Sequence, residues 1–510
     1  MRRVLPRPAL AAAAAAAAGL ALLPLIYLGM RAAEGGWPRI KAELLTRRVA
    51  ELATSSLLLA AVVTAASVVL GVGAAFLITR TDLPLRRTFA ILAALPLAVP
   101  TYVAAFSWIS LVPRFEGFWA AAIVLTLCCY PYVYLPAAAA FAGLDPAQEE
   151  VARSLGRTPW QTFTSVTFRQ ARPAVAAGAL LVALYVLSDF GAVAMVRADT
   201  FTRAIFTAFD LGFDRIGALV LSLLLVALAA LLVGGELATR ARGARYARLG
   251  GAGRPPTRLR LGVVRPVAAL LLGLLATLAL GVPAASLARW LAAGVSRPGS
   301  ATEIVTAALS SLSVSFAGAA LTLLLALPVG LLAARAPGAL ATLVERATYV
   351  AHALPGVVIG LSLVFFGINV AYPLYQSTWL LALAYATLFL PLAVGAVTAA
   401  ALQSPPALEE TARSLGRGPF TVLRTVTVPL TLPGIGAGAA LTFLACMKEL
   451  PATLLLRPTG MDTLATELWR HTSTASYAAA APYAALLVGL AALPTWLLAT
   501  RSGLTGTEGL

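Results

Sequence analysis

Glu149-Glu-Val-Ala-Arg-Ser-Leu-Gly156-Arg-Thr-Pro159 returns 260 residues later as Glu409-Glu-Thr-Ala-Arg-Ser-Leu-Gly416-Arg-Gly-Pro419. Across 149–167 and 409–427 the copies share 11 of 19 residues, and each is a polar island in a chain that is 60% hydrophobic. The pair marks an internal duplication in which the apolar segments have diverged and one polar loop has not. A repeated polar island is read as two copies of one docking surface. The plainer reading, two solvated loops alike only by duplication, leaves that contrast unexplained.

Outward from the islands, apolar segments of about 20 residues recur along the chain, the length at which an α-helix crosses about 30 Å of hydrocarbon. With mean hydropathy +0.87 and only 12% charged residues, the chain cannot coat a soluble globule of 510 residues. Membrane-spanning strands would be shorter and alternate in polarity, which these segments do not. The expectation is an all-α membrane protein of twelve spans. In the first half they are 9–30, 54–78, 88–111, 118–142, 173–197 and 216–238. In the second they are 264–288, 306–334, 348–371, 378–402, 433–456 and 477–499. The domains are then a first six-helix repeat at 1–239, an Arg/Gly/Pro linker at 240–263 and a second six-helix repeat at 264–510. An even number of helices per half makes the repeats parallel, related by an axis along the membrane normal.

The net charge of +17 is not a nucleic-acid signature, because of where the charge sits. With the N-terminus inside, the inner loops hold 24 of the 38 Lys and Arg residues, eight of them from Arg240 to Arg265, against 13 outside. Lys448 lies in a span. This bias places both repeated peptides, the linker and both termini in the cytoplasm. One loop dissents: Arg31, Arg39, Lys41, Arg47 and Arg48 fall on the outer side. Met1-Arg-Arg and the alanine run behind it look like a signal peptide, but the apolar stretch is longer than a signal core, so an uncleaved span is expected. Cys128, Cys129 and Cys446 all lie in spans and read as small packing residues.

Each island has the grammar of a helix, a tight turn and a second helix. Asp145-Pro146 and Ser404-Pro405 are N-cap and first-turn pairs. Gly156 and Gly416 permit a left-handed C-terminal turn, and Thr158-Pro159 and Gly418-Pro419 open the next helix. The knob so formed exposes a carboxylate and an arginine to a partner's cleft.

These residues resemble a family. ABC importer permeases carry a cytoplasmic motif of Glu-Ala-Ala, three residues, Gly, nine residues, then Ile-x-Leu-Pro, matched here by Glu150-Val-Ala152 with Gly156 and by Glu410-Thr-Ala412 with Gly416. The second copy ends in Val426-Thr-Val428-Pro429, close to the pattern; the first ends in Val166-Thr-Phe168-Arg169, lacks the proline and is expected to leave its helix differently. The resemblance implies the type I ABC importer permease fold and coupling helices that dock in an ATPase groove. It assigns ATPase coupling to Glu149, Glu150, Ala152, Arg153 and Gly156, and to Glu409, Glu410, Ala412, Arg413 and Gly416. The stretches Leu95-Pro-Leu-Ala-Val-Pro-Thr-Tyr-Val103, Ser188-Asp-Phe-Gly-Ala192 and Lys448-Glu-Leu-Pro-Ala look like ferric-iron importer permeases, while thiamine and phosphonate importers share the fused architecture. The resemblance implies three partners: a cytoplasmic ATPase dimer, an extracytoplasmic solute-binding protein and the lipid bilayer of a bacterial plasma membrane.

Lys41 and Lys448 are the only lysines, and neither sits in a phosphate loop. The chain is therefore expected not to be an enzyme: no catalytic residues, no cofactor of its own, and ATP with Mg on the partner ATPase. Asp189 and Glu449 lie 260 residues apart in the fifth span of each half, and an acid within a span is a functional candidate. One reading sets them across a central pathway where they attract a cation; the other has each closing a local network, or Lys448 neutralising the site. Pro96 and Pro355 sit early in the third spans and either kink them or free carbonyls toward a passage. The outer segments 198–215 and 457–476 carry Asp199, Asp210, Asp214, Arg457, Asp462 and Glu467, which by resemblance meet the solute-binding protein. His352 and His471 lie apart and make no metal site. A secondary transporter would leave the duplicated knobs unexplained, and a membrane-embedded enzyme would need a clustered nucleophile, acid-base pair or metal.

Overall fold

The computed structural model describes residues 8–34, 36–144, 146–210, 212, 214–240, 258–294, 301–336, 338–352 and 354–501, and helix dominates them. The first repeat begins with α1 (Pro8–Glu34), α2 (Trp37–Leu44), α3 (Arg47–Arg80), α4 (Arg86–Ala94), α5 (Thr101–Leu111) and α6 (Phe118–Ala142). It continues through α7 (Pro146–Ser154), α8 (Pro159–Ser188), α9 (Gly191–Met195), α10 (Phe201–Asp210) and α11 (Arg215–Arg240). The second repeat begins with α12 (Gly262–Ala293), α13 (Ala301–Arg335), α14 (Ala339–His352), α15 (Gly356–Asn369) and α16 (Thr378–Gln403). It closes with α17 (Pro406–Ser414), α18 (Phe420–Met447), α19 (Pro451–Leu456), α20 (Leu464–Ser473) and α21 (Tyr477–Arg501).

Eight described helices are long and apolar enough to cross a membrane, one bent pair adds a ninth, and three shorter apolar helices, Ile216–Leu232, Gly356–Asn369 and Tyr477–Ala492, complete the pattern. The twelve expected segments are all occupied, but several are not single helices. The third span breaks between α4 and α5, where the chain turns through 95°. The fifth begins in the knob at Pro159, ends at Ser188 and resumes as α9; its counterpart α18 ends at Met447 and resumes as α19.

Contacts divide the chain into two compact units that do not follow the repeat boundary. One is drawn from Thr46–Ala204, Ala227–Val295 and Ala475–Leu510, the other from Met1–Leu45, Ile205–Val226 and Ser296–Thr474. Each core is therefore the middle helices of one repeat clad in helices of the other. In the first unit α3, α6 and α8 pack together, while α12 and α21 lie on α5. In the second, α13, α16 and α18 pack together and α1 lies on α13, α14 and α15. The alanine run of α1 has a packing role: Ala14, Ala17, Ala18 and Ala21, spaced as one helix face, are buried against Ala326, Val329, Val394 and Val397. Tyr27 Oη donates to the Phe365 carbonyl at 3.1 Å. Sequence repeat and packing unit are two different divisions of this chain.

Lipid tails are as apolar as leucine, so helices in a bilayer associate through close packing of small residues rather than through a hydrophobic drive. Gly71 of α3 shows this against α6. A Cβ there would lie 2.8 Å from Val133 Cβ and 2.9 Å from the Tyr130 carbonyl oxygen, whereas a Cβ on Gly73, two residues along, would meet nothing within 4 Å. Gly71→Ala should destabilise the protein by about 1–3 kcal/mol through overpacking. Gly73→Ala should be neutral or stabilising, since alanine is the better helix former. Thermal unfolding of the purified protein in one detergent compares the two.

Candidate functional site

Both repeated peptides form the expected knob. α7 and α17 are nine-residue helices, and each ends in the same turn, with Gly156 at φ 83° and Gly416 at φ 78°. The Gly156 amide donates to Arg153 O at 2.9 Å and the Arg157 amide to Ala152 O at 3.2 Å. Gly416 and Arg417 repeat both bonds at 3.0 and 3.2 Å. This paired closure needs a residue that tolerates positive φ, which is why glycine stands there. The next helix opens differently in each copy. Thr158 and Gln161 form a capping box, and Gly418 occupies the corresponding place in the second.

Two details depart from expectation, and a third is not described. Ser404 does not cap α17: the helix starts one residue later behind Pro405, and the Ser404 carbonyl instead accepts from Arg335 at 3.1 Å. Asp145 lies outside the described residues. Arg169 and Pro429 do not send the two chains along different paths, because α8 and α18 run through both positions and carry the same π turn, at Phe163–Thr167 and Leu423–Thr427.

The two acids of each motif have opposite fates. Glu150 and Glu410 are exposed, but Glu149 and Glu409 are only 3% and 6% exposed and point inward. Glu149 pairs with the buried Arg80, the last residue of α3, and accepts from Thr167 Oγ1 at 2.6 Å. Glu409 pairs with Arg335, the last residue of α13, at 2.9 Å, and accepts from Thr427 Oγ1 at 3.1 Å. The π turn adds a residue to one helical turn and ends on the threonine in both copies. The first acid of the pair is thus an anchor tying the knob to the end of a long span, so of the two acids that the resemblance assigned to ATPase coupling only Glu150 and Glu410 are exposed. A buried pair of this kind is costly to break, since one partner left alone is an uncompensated charge.

What the knobs present outward is apolar as well as acidic. Leu155 and Leu415 are each 76% exposed, and Trp160 and Phe420 stand at equivalent positions on the next helix, also exposed. Contiguous exposed apolar surface is found at sites of protein or membrane contact. Arg80, Arg335, Thr167, Thr427 and these four apolar residues escaped the sequence reading. A usable signal existed, since each arginine ends an apolar span at the membrane boundary. The knobs differ at their own arginine: Arg413 reaches Glu409 at 3.1 Å, whereas Arg153 lines a small cavity with Arg80, Glu149 and Leu259. Ala152 and Ala412 lie on the inner faces of the helices.

Asp189 and Glu449 are both buried, and each accepts amides of the short helix that follows it. The Ala192 and Val193 amides donate to Asp189 Oδ2 at 3.0 and 3.3 Å, and Thr101 Oγ1 donates to Oδ1 at 2.6 Å. The Ala452 and Thr453 amides each donate to Glu449 at 3.1 Å, and Thr453 Oγ1 at 3.0 Å. Each acid thus closes a local network at the break after the fifth span, where it satisfies amides that a helix interior would have paired. The prolines regroup as well. Pro96 lies in a 3-10 turn, and the residue that stands where Pro355 stands, directly before the first residue of the next helix, is Pro100. The outer segments are ion-paired: Asp199 with Arg48 and Arg203, Arg457 with Asp462, and Glu467 with Arg470. Among the described residues no three His, Cys, Asp or Glu side chains gather as a metal site. The His352 side chain lies outside what is described.

Residues 67–297 and 326–500 match the family described as binding-protein-dependent transport system inner membrane component. An Fe(3+)-transport system permease protein of Haemophilus influenzae is 40% identical over 486 residues, covering 94% of this chain and 96% of that protein. A sulfate transport system permease protein of Escherichia coli is 31% identical over 39% of this chain and 78% of its own length. A putative 2-aminoethylphosphonate transport system permease protein of Salmonella typhimurium is 31% identical over 28% of this chain and 55% of its own length.

The contrast between neighbouring acids is directly measurable. Glu149→Gln leaves Arg80 buried without its counter-charge and should cost about 3–5 kcal/mol. Glu150→Gln, on the exposed face, should change stability by no more than about 0.5 kcal/mol. Unfolding midpoints of the two purified variants, read against the parent protein, check both values.

Proposed function

The chain belongs to the family of binding-protein-dependent transport system inner membrane components, and we propose that it is the permease subunit of an ATP-driven importer of ferric iron. The observation that carries the cargo is coverage. The ferric-iron relative matches end to end at 40% identity, while the sulfate and aminoethylphosphonate relatives match 39% and 28% of this chain. The protein is all-α, has the type I ABC importer permease fold and is a transport subunit rather than an enzyme, since in this family ATP is hydrolysed on a separate subunit.

Each knob offers one exposed glutamate beside a leucine and an aromatic ring, a small convex surface suited to one groove. Two such knobs in one chain call for two grooves, and the partner that provides them is a dimeric ATPase carrying ATP and Mg. The buried anchors explain how a push on a knob becomes motion of a span: Arg80 and Arg335 are the terminal residues of α3 and α13, so the knob and the long helix move as one body. The outer segments around α10 and α20 receive the solute-binding protein that selects the cargo. The chain lies in the plasma membrane in this reading, and the arginine bias supports an orientation with both termini and both knobs in the cytoplasm. Asp189 and Glu449 serve transport by holding the broken fifth spans in shape.

Reconstitution with the ATPase and a ferric-binding protein tests the assignment through ATP-dependent uptake of radiolabelled ferric iron. Leu155→Ala with Leu415→Ala should leave the unfolding midpoint in place and lower uptake at least tenfold, because exposed interface anchors cost roughly 2 kcal/mol or more each when truncated. Normal uptake in that variant would remove the knobs from the coupling path. Uptake of sulfate or a phosphonate in place of iron would overturn the cargo.

A further inference from the structure

Arg258 and the residues after it form a short irregular segment that a single β-bridge pins to the turn after α3. Leu259 pairs with Thr81 as a parallel bridge: its amide donates to Arg80 O at 2.9 Å, and its carbonyl accepts from Asp82 at 3.1 Å. The Leu261 amide then donates to Asp82 Oδ1 at 2.8 Å. These bonds join segments 179 residues apart and set Arg258 beside Arg86 and Arg87 in the first turn of α4. Together the three arginines line an open cleft of about 570 Å³, with Asp82 its one acid.

The rim of this cleft is apolar in a way that a soluble anion does not require. Leu85, the residue before α4, has φ 52° and makes no side-chain cap, so its side chain stands 73% exposed at the cleft. A few residues along the chain from Arg258, Val263 and Val264 are exposed, and Val267, Leu270 and Leu271 continue the exposed apolar surface along α12, which packs on α4. Helix α12 is one of the long apolar spans, and α3, which ends at Arg80, is another. A basic cleft therefore sits where one long apolar helix ends and the next apolar segment begins, close to an exposed apolar surface on α12.

We propose that the cleft binds the phosphate headgroup of an anionic phospholipid, whose acyl chains run along the exposed face of α12. Guanidinium groups suit this ligand, because their planar forks pair with phosphate oxygens in a way that a lysine ammonium does not. Basic pockets between spans on the cytoplasmic side are a recurrent form of lipid recognition. A headgroup held by Arg86, Arg87 and Arg258 bridges α4 to the segment that carries Leu259, and Leu259 lines the same small cavity as Arg80 and Glu149. The bound lipid thereby braces the first knob's anchor.

The test uses the full-length protein, purified in a neutral detergent and offered phosphatidylglycerol, phosphatidylcholine of the same chain length, or inorganic phosphate. Native mass spectrometry should retain one phosphatidylglycerol more tightly than the rest, and the unfolding midpoint should rise with it and not with the other two. Arg86→Gln with Arg87→Gln and Arg258→Gln should weaken that binding at least tenfold. Arg258→Gln alone, at an exposed position with no helix to disturb, should weaken it several-fold and decides the matter if the triple variant fails to fold. Phosphatidylglycerol binding unchanged by Arg258→Gln and by any folded triple variant, or a midpoint rise produced equally by inorganic phosphate or phosphatidylcholine, would overturn the proposal.

Discussion

A carboxylate and a guanidinium, held together where a span meets a polar loop, fix the geometry on which the rest of each half depends. Glu149 with Arg80 and Glu409 with Arg335 hold a short polar helix against the end of a long apolar one. Neither element would choose the other on hydrophobic grounds, since nine residues of mixed polarity bury little. The ion pair supplies a specific position at some cost in desolvation, and the threonine at the end of the π turn satisfies a further carboxylate lone pair. The knob's outer face is thereby left free of structural duty, with its leucine, aromatic ring and second glutamate turned to solvent.

The bilayer imposes a second rule, that every backbone polar group must find a partner within the protein. The broken spans obey it visibly. Where the fifth span of each half stops, an acid accepts the amides of the short helix that follows, and Pro100, at the bend of the first half's third span, and Pro355 each stand directly before the next helix with no amide to satisfy. Buried carboxylates in a membrane protein invite a reading as ion sites. Here their oxygens are committed to backbone amides and threonine hydroxyls, and that chemistry is enough to explain their presence.

The two halves are related but not interchangeable. Arg413 joins Glu409 in the second knob, while in the first Arg153 stays back and the returning linker segment covers the same region through Leu259. A duplicated and fused chain tolerates this difference, and Leu259, which follows the linker's described start at Arg258, lies beside the first knob's anchor. Helices are also exchanged between the packing units: α1 and α12 each clad the core of the other repeat.

Sequence alone determined the membrane class, the twelve segments, the duplication, the knob with its two glycine turns and the family, because each rests on local composition, spacing or a motif. It did not reveal which glutamate of each pair is buried, because two adjacent helical residues point in directions about 100° apart and only the neighbouring span decides which direction is inside. Nor did it match Pro355 with Pro100 rather than Pro96, since Arg80 and Arg335 lie 255 residues apart while Glu149 and Glu409 lie 260 apart, and one fixed offset cannot align both. The roles of Arg80, Thr167 and Leu259, and the exchange of α1 and α12, arise from contacts between residues far apart in the chain. Those belong to the tertiary structure, because burial and pairing are properties of neighbours in space that no local pattern encodes.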